Sequence, residues 1–221
     1  YNPVTARIYP DFGLMTADAE FGADSSELFN HKTGYSGQSV YRKLVVAPIN
    51  LRTRFKDLIR REVEHHRAGR AAGIFAKTNA LTDYELIDEF YAASQSGLRI
   101  DLLVRGVCCL RTNVEGQSDT IRVGSVVGRF LEHSRVYRFL NGGDNEVYLS
   151  SADLMSRNLD RRLEIMFPIQ DPVVKQRIIR EAIELPLSDT VKLRWLEPDG
   201  SYVKARCGNR EPADYQAILA R

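Results

Sequence analysis

The stretch "GIFAKTNALTDYELIDEFYAASQSGLRIDLLVRG", residues 73–106, decides the fold class of this chain. It reads as an apolar strand, an amphipathic helix and a second apolar strand, because its apolar residues change from a continuous run to helical spacing and back. A strand–helix–strand unit joins parallel strands through a right-handed crossover. The stretch therefore predicts an α/β protein.

The segments on either side extend this pattern. "KLVVAP" (43–48) is a short buried strand, and "NLRTRFKDLIRREVEHHRAG" (50–69) is a helix that Asn50 begins and Gly69 stops. Further strands are predicted at "TIRVGS", "HSRVYRF", "NEVYLSSA" and "LEIMFPI", and further helices at about Pro172 to Leu185 and in "EPADYQAILAR". We expect a mixed, mostly parallel sheet with helices on both faces.

The first forty residues show no clean periodicity. "GADSSELFNHKTGYSGQS" (22–39) is polar and rich in Gly and Ser, which predicts a linker or mobile loop. The chain starts at "YNPVTARIY" without a methionine. We therefore expect residues 1–40 to continue from a preceding domain that this sequence lacks, and residues 41–221 to form one domain.

Composition restricts the class of protein. With 221 residues and 43% hydrophobic residues the chain can bury a core, and it has neither an apolar run of membrane-spanning length nor a signal peptide. Cys108 and Cys109 are adjacent in an apolar run, which argues against disulfides. We expect a cytoplasmic protein, with peripheral association at the inner membrane as a further option. The net charge of +2 does not indicate nucleic acid binding.

Polar residues follow three of the predicted strands. Asn50 and Arg52 follow the first, Lys77 and Asn79 the second, and Arg105 the third. Ligands of open α/β sheets bind beyond the carboxyl ends of the strands, where helix N-termini favour phosphate. These residues are either ordinary solvated loop positions or an anion site at one edge of the sheet.

A single histidine lies among arginines in "RFLEHSRVYRF" (129–139). The strand period of two puts His133 and Arg135 on the same face, so His133 is either a packed spectator or part of an anion site. With "SSADLMSRNLDRRLE" (150–164) the region resembles a half-site of the phospholipase D superfamily. Arg135 stands where that motif has Lys, and Leu140 where it has Asp. The superfamily uses two half-sites, and this chain contains one.

Six blocks in order resemble the C-terminal part of the polyphosphate kinase family. They are "YNPVTARIYPDFGLMTAD", "LVVAPINLR", "IFAKTNALTD", "YAASQSGLRIDLLVRGVCCLR", "IRVGSVVGRFLEHSRVY" and "VYLSSADLMSRNLDRRLEIMFPI". The resemblance implies a phospholipase-D-like domain and reversible transfer of the ATP γ-phosphate to polyphosphate. It also implies a phosphohistidine in a preceding domain, and Mg²⁺ whose protein ligands lie outside this chain.

The resemblance also assigns roles to residues. It implies nucleotide contacts by Tyr9, Arg105 and His133, with His133 as the catalytic group that stabilises charge or exchanges a proton. Secondary candidates for lining a polyphosphate path are Arg52, Lys77, Asn79, Arg135, Arg157 and Arg161. The expected partners are ATP or ADP, polyphosphate, the missing N-terminal domains and further copies of the same protein.

Two other functions stay open at this point. One is a phosphodiesterase of the phospholipase D class, assembled from two copies of the half-site by dimerisation. The other is a non-catalytic polyanion-binding module. Nucleic acid is not the expected polyanion, because the arginine-rich stretch from Arg105 to Arg138 contains only Phe130 and Tyr137 as aromatic stacking platforms.

Overall fold

The computed structural model describes residues 2–35, 40–208 and 211–220. In this part of the chain nine strands form one sheet, with the spatial order β1-β7-β6-β5-β2-β3-β4-β8-β9. The strands are β1 (Val45–Ala47), β2 (Ile74–Thr78), β3 (Ile100–Val104), β4 (Ile121–Val126), β5 (Arg135–Phe139), β6 (Glu146–Ser150), β7 (Glu164–Pro168), β8 (Leu193–Leu196) and β9 (Tyr202–Lys204).

Helices cover both faces of this sheet, as predicted. The α-helices are α1 (Ala19–Lys32), α2 (Leu51–Arg67), α3 (Tyr84–Gln95), α4 (Ser156–Asp160), α5 (Pro172–Ile178), α6 (Leu185–Ser188) and α7 (Tyr215–Leu219). A π-helical turn (Ile179–Glu184) joins α5 to α6, and short 3₁₀ turns lie at Thr5–Arg7 and Asn141–Gly143. No helix in the described ranges is long and apolar enough to cross a membrane.

The mixed α/β class is confirmed, but the prediction of a mostly parallel sheet is wrong. Only the pairs β2–β3 and β3–β4 are parallel. The other six described pairs are antiparallel. The short connections between β5 and β6 and between β8 and β9 allow only antiparallel neighbours, and β5 and β8 also run antiparallel to β2 and β4, their neighbours in the centre of the sheet.

Each face of the sheet has its own apolar core. On one face Phe55 of α2 makes edge-to-face contacts with Phe90 of α3 and with Tyr137 and Phe139 of β5. The core on the other face contains residues from β2, β3 and β5 together with the α5–α6 segment. Because helices cover both faces, β2 and β3 are buried along their whole length, which explains their continuous apolar runs.

The predicted helix after β1 is confirmed at both ends. α2 begins after Asn50 and ends at Arg67, and Gly69 just beyond it has a φ of +68°, in the left-handed region that glycine adopts without strain. The Asn50 side chain does not cap the helix. It accepts a hydrogen bond from the Val46 N–H at 2.8 Å and so ties the end of β1 to the start of α2.

The predicted linker at 22–39 is wrong over its first part, because α1 extends to Lys32. Asp18 begins this helix by accepting hydrogen bonds from the N–H groups of Glu20 and Phe21. Asp24 is buried and accepts hydrogen bonds from the backbone N–H groups of residues 42–44. The rest of the predicted loop, residues 36–39, lies outside the described residues. The domain boundary near residue 40 stays a prediction.

The docking of α1 through Asp24 is expected to weaken in acid. Burial alone raises the pKa of Asp24, but hydrogen bonds from residues 42–44 hold this pKa below its ordinary value. A carboxyl group with a lowered pKa in the folded state stabilises above its unfolded pKa of about 3.9, and the contribution is lost as the pH falls through the folded pKa. Asp24→Asn should therefore cost about 1–3 kcal/mol at pH 7 and little at the lowest pH at which the wild type stays folded.

Urea unfolding at several pH values tests this expectation. Asp88→Asn is the matched control, since Asp88 is exposed on α3. An Asp24→Asn variant as stable as this control at pH 7 would contradict the proposed anchoring of α1.

Candidate functional site

His133 lies in the extended segment just before β5 and is held by three side chains. Its Nδ1 is 2.9 Å from Asp11 Oδ2, and the Tyr9 ring makes an edge contact at a centroid distance of 4.8 Å. Arg135 Nη1 lies 3.3 Å from His133 Nε2. The prediction that His133 and Arg135 share a face is confirmed. The His133 side chain remains 25% exposed, so it can reach a ligand.

The contact with Asp11 determines the proton arrangement on His133. An ionised carboxylate only accepts hydrogen bonds. The ring hydrogen is therefore on His133 Nδ1, and this N–H donates a hydrogen bond to Asp11. Nε2 is then the acceptor of the ring, and Arg135 Nη1 lies 3.3 Å from it and 3.5 Å from Nδ1. The sequence analysis missed Asp11. The one available signal was its position two residues after Tyr9 in "YPD".

Arg135 is itself held by a buried carboxylate. Its Nε and Nη2 donate to the two oxygens of Asp153 at 3.0 and 3.1 Å. Asp153 also accepts from Thr78 Oγ1 and from the Asn79 N–H. Burial raises the pKa of Asp153, but the hydrogen bond and charge of Arg135 outweigh it and keep this pKa below its ordinary value. The four residues form a rigid network beneath His133.

Three residues predicted at one edge of the sheet converge on the segment that contains His133. Lys77 Nζ lies 2.6 Å from Glu132 Oε2, and Arg105 Nη1 donates to the Glu132 carbonyl oxygen at 3.0 Å. Asn79 Nδ2 donates to the His133 carbonyl oxygen at 3.4 Å. They meet because β2 and β3 are parallel neighbours whose carboxyl ends share an edge.

The two cations at this edge of the sheet, Lys77 and Arg105, differ in how well they can bind an anion. Lys77 is buried and paired with Glu132, whose pKa is raised by burial but lowered further by the charge of Lys77. Arg105 is half-buried, and no carboxylate of the described residues forms an ion pair with it. A buried, compensated cation contributes little to attracting an anion, whereas the remaining donors of Arg105 can bind phosphate oxygens.

The structure does not bring Arg52 to this group. The first strand runs in the same direction as β2 but lies four strands away, roughly 19 Å at ordinary strand spacing. Arg52 pairs with Asp83 and, at 2.7 Å, with Asp160. Arg157 and Arg161 are exposed at α4. The phosphate-lining role of these three arginines stays a prediction, and the geometry gives it no support.

A cavity of about 330 Å³ is lined by Phe130, Glu132 and Ser134, around His133 in the chain, and by residues from four other parts of the chain. Tyr9 and Phe12 come from the N-terminal segment, Lys77 from β2, Glu181 from the π-helical turn, and Tyr215 and Gln216 from α7. The volume lies in the range of small-molecule sites. The sequence analysis missed α7 as part of the site, because nothing in "DYQAIL" distinguishes it from a surface helix.

Two contacts show how α7 completes the cavity. Gln216 Nε2 donates to the Phe130 carbonyl oxygen at 3.0 Å and also contacts the Glu132 carboxylate. The Tyr215 hydroxyl is buried and lies next to the Glu132 carboxylate. Burial and the nearby negative charge of Glu132 raise the pKa of Tyr215, so it remains a neutral phenol that can donate a hydrogen bond.

Comparison with known proteins identifies the family. Residues 44–216 match a family model described as polyphosphate kinase C-terminal domain 2. This chain belongs to that family. The polyphosphate kinase of Thermosynechococcus vestitus is 51% identical to it over 223 residues, which cover all of this chain and 30% of the relative. The crystal structure of polyphosphate kinase from Porphyromonas gingivalis superposes with a TM-score of 0.95 at 37% identity, over 99% of this chain and 33% of that chain.

The resemblance found in the sequence is therefore confirmed. The polyphosphate kinase domain described here spans about 30% of the length of the relative from Thermosynechococcus vestitus. The phospholipase D family member Nuc from Salmonella typhimurium is a more distant match, with a TM-score of 0.46 at 10% identity over 74% of this chain. The roles of Tyr9, Arg105 and His133 are not tested by these similarities and stay predictions.

Within the described ranges, no three His, Cys, Asp or Glu side chains lie close enough together to hold a metal ion. The two carboxylates nearest His133 are already bound, Asp11 to His133 and Asp153 to Arg135. Mg²⁺ prefers several oxygen ligands in octahedral geometry, and this donor set does not fit it.

Proposed function

We propose that this chain is the nucleotide- and polyphosphate-binding part of a polyphosphate kinase. The complete enzyme transfers the γ-phosphate of ATP reversibly to the end of a polyphosphate chain, through a phosphohistidine located outside this chain. The observation that carries the proposal is the juxtaposition of an uncompensated Arg105 with His133, which Asp11 orients, at one edge of the sheet. Phosphoryl transfer requires mainly positioning and charge neutralisation, and these residues supply both.

ATP is proposed to bind with its base in the cavity and its phosphates towards Arg105. Tyr9 and Phe130 line the cavity and present aromatic surface to adenine. Arg105 lies at the end of β3 beside Lys77 and Glu132, and the guanidinium donors that are not bonded to the Glu132 carbonyl oxygen can bind phosphate oxygens. This arrangement uses Tyr9 and Arg105 in the roles that the family resemblance implies.

His133 is proposed to act on the transferring phosphoryl group from its Nε2 side. With Nδ1 held by Asp11, the ring can accept a proton at Nε2 and become a cation that Asp11 stabilises. Arg135 adds a fixed positive charge on the same side, so negative charge that develops on the phosphoryl oxygens is neutralised. The ring can therefore exchange a proton or stabilise charge, as the sequence analysis expected.

Several further features of the complete enzyme are part of this proposal. Mg²⁺ would accompany the ATP phosphates, where it neutralises charge, with its protein ligands outside this chain. The partners would be the remaining domains and further copies of the same protein, in the cytoplasm or at the periphery of the inner membrane. These features are proposed from the similarity to polyphosphate kinases. This chain spans about 30% of the length of the relative from Thermosynechococcus vestitus.

Replacement of Arg105 tests the proposal directly. In the complete protein that carries this chain, Arg105→Ala should lower the affinity for a non-hydrolysable ATP analogue about 10- to 100-fold, measured by calorimetric titration. The reason is that a hydrogen bond to a charged group contributes about 1.5–3 kcal/mol, and each 1.4 kcal/mol is tenfold in affinity. The main fold should persist, since Arg105 is half-buried and outside both apolar cores.

Arg67→Ala is the control for loss of one arginine charge. Arg67 is exposed in the last turn of α2, far along the chain from every residue of the proposed site. Equal affinity of the analogue for Arg105→Ala and Arg67→Ala would contradict the proposed nucleotide site. An unchanged titration for the control and a weakened one for Arg105→Ala would support it.

A further inference from the structure

A second cationic surface extends from Arg105 away from His133. It is an open groove of about 540 Å³ lined by Arg105, Gly106, Ser125, Val127, Arg194 and Tyr202. Two guanidinium groups, a phenol and a hydroxyl line it, and no carboxylate does. We call it the β4–β8 groove, because Ser125 is on β4 and Arg194 is on β8.

Strand register adds a third cation to this groove. Ser125 of β4 lies directly opposite Arg194 of β8, and Arg194 lies directly opposite Lys204 of β9. Residues directly opposite in antiparallel strands project from the same face of a sheet. Arg194 and Lys204 therefore project from one face, and Arg105, just beyond the end of β3, lines the same groove. From β3 to β9 the sheet spans roughly 14 Å.

The cations of the groove are not neutralised by the protein. Arg194 donates to the Lys192 carbonyl oxygen at 3.3 Å, and Arg105 donates to the Glu132 carbonyl oxygen. Neither arginine nor Lys204 forms an ion pair with a carboxylate in the described parts of the chain. A row of cations without a counter-ion is the electrostatic signature of a surface that binds a polyanion.

Neighbouring cations on the same strands behave differently. Arg122 at the opposite end of β4 pairs with Asp101 at 2.6 Å. Lys192, just before β8, pairs with Asp214 at 2.8 Å. The lack of partners is thus a local property of the groove and not a general property of this region of the sheet.

The pair Arg194 and Lys204 also carries a cost in stability. Like charges directly opposite in neighbouring strands destabilise a sheet. An anion bound between them would relieve this repulsion, whereas the empty groove retains it. A lysine on the edge strand β9 can alternatively serve to block edge-to-edge aggregation, and that role needs no ligand.

We propose that the β4–β8 groove binds the part of the polyphosphate chain that lies beyond the transfer site. Arg105 would hold the phosphates nearest His133, and Arg194 and Lys204 those further along the chain. Arg105 connects the two regions, because it lines both this groove and the cleft that contains Lys77 and Glu132. This inference rests on the proposed function, which makes polyphosphate a substrate.

Polyphosphate fits the groove better than nucleic acid does. The lining is rich in charge and contains a single aromatic ring, Tyr202. Single-stranded nucleic acid binds by stacking successive bases on several aromatic rings, whereas polyphosphate needs only a continuous row of cations. The ligand class is therefore a linear polyanion without bases.

Chain-length-dependent binding tests the inference. In the complete protein, Arg194→Gln and Lys204→Gln should each lower the affinity for long-chain polyphosphate about two- to fivefold at low salt. Each should also lower the slope of log affinity against log salt by about one, as expected for one lost phosphate contact. Binding of tripolyphosphate, which is too short to extend from Arg105 to β9, should change much less.

Two further readouts separate the possible outcomes. Arg67→Gln, at an exposed position in the last turn of α2, is the charge-matched control and should leave the polyphosphate salt slope at the wild-type value. Each groove variant should melt no lower than the wild type without ligand, because one of two opposed like charges is removed. Raised melting temperatures without any loss of polyphosphate affinity would overturn the inference and leave Lys204 as an edge-protecting residue.

Competition with single-stranded DNA of equal charge completes the test. Displacement of polyphosphate by this DNA at equal concentration would overturn the inference in favour of a general polyanion surface. Failure of the proposed function is a different result, namely an ATP analogue whose binding does not depend on Arg105. If binding of the ATP analogue depends on Arg105 but polyphosphate binding is unchanged in the Arg194 and Lys204 variants, only the assignment of the groove fails.

Discussion

His133→Ala is expected to reduce polyphosphate synthesis by the complete protein about 100- to 10,000-fold, the range for loss of a group that transfers a proton in the transition state. The substitution removes the ring that both Asp11 and Arg135 contact. Initial rates at saturating ATP and polyphosphate measure the effect. The fold should persist, because His133 lies outside both apolar cores and its side chain is partly exposed.

Two further variants make the result specific to the oriented ring. Asp11→Asn keeps His133 but replaces the carboxylate that stabilises its charged form, so a smaller loss and a changed pH–rate profile are expected. His66→Ala, at the exposed end of α2, should leave the rate unchanged. A rate for His133→Ala equal to that of His66→Ala would show that His133 is a packed spectator.

Asp153→Ala is expected to have the largest effect on stability, a loss of about 3–5 kcal/mol in the free energy of unfolding. It leaves the Arg135 guanidinium, only 13% exposed, without its carboxylate partner. It also removes the acceptor of Thr78 Oγ1 and of the Asn79 N–H. Urea unfolding at pH 7 measures this loss. The wild-type contribution is present above the unfolded pKa of Asp153 and is lost in acid, because the folded pKa is lowered.

A second substitution separates charge from packing. Arg135→Met combined with Asp153→Ala removes the uncompensated cation and should recover a large part of the lost stability. Asp88→Ala, at an exposed position of α3, should change stability by less than about 0.5 kcal/mol. A loss for Asp153→Ala as small as that for Asp88→Ala would show that the network beneath His133 contributes nothing to the fold.

Local sequence patterns were sufficient to predict the elements whose structure depends on residues close together in the chain. The apolar spacing of residues 51–67 predicted α2, and Asn50 and Gly69 predicted its ends. The strand–helix–strand unit predicted that β2 and β3 are parallel, and this alone brings Lys77, Asn79 and Arg105 to one edge. A helical crossover between neighbouring strands is right-handed and makes the two strands parallel. This part of the topology can therefore be predicted from the local sequence alone.

The remaining features depend on contacts between residues far apart in the chain. The polar helix α1 is docked through Asp24, which accepts hydrogen bonds from backbone N–H groups of residues 42–44. Strands β5–β9 pair antiparallel with their neighbours, partly with strands distant in the chain such as β2 and β4, and hydrophobic periodicity gives no strand direction. Asp11 reached His133 across 122 residues of chain. By itself the sequence determined the family, the main helices and the parallel centre of the sheet. Only the tertiary structure decided how His133 is oriented and which cations remain without partners, because hydrogen bonds and ion pairs between distant segments leave no periodic pattern.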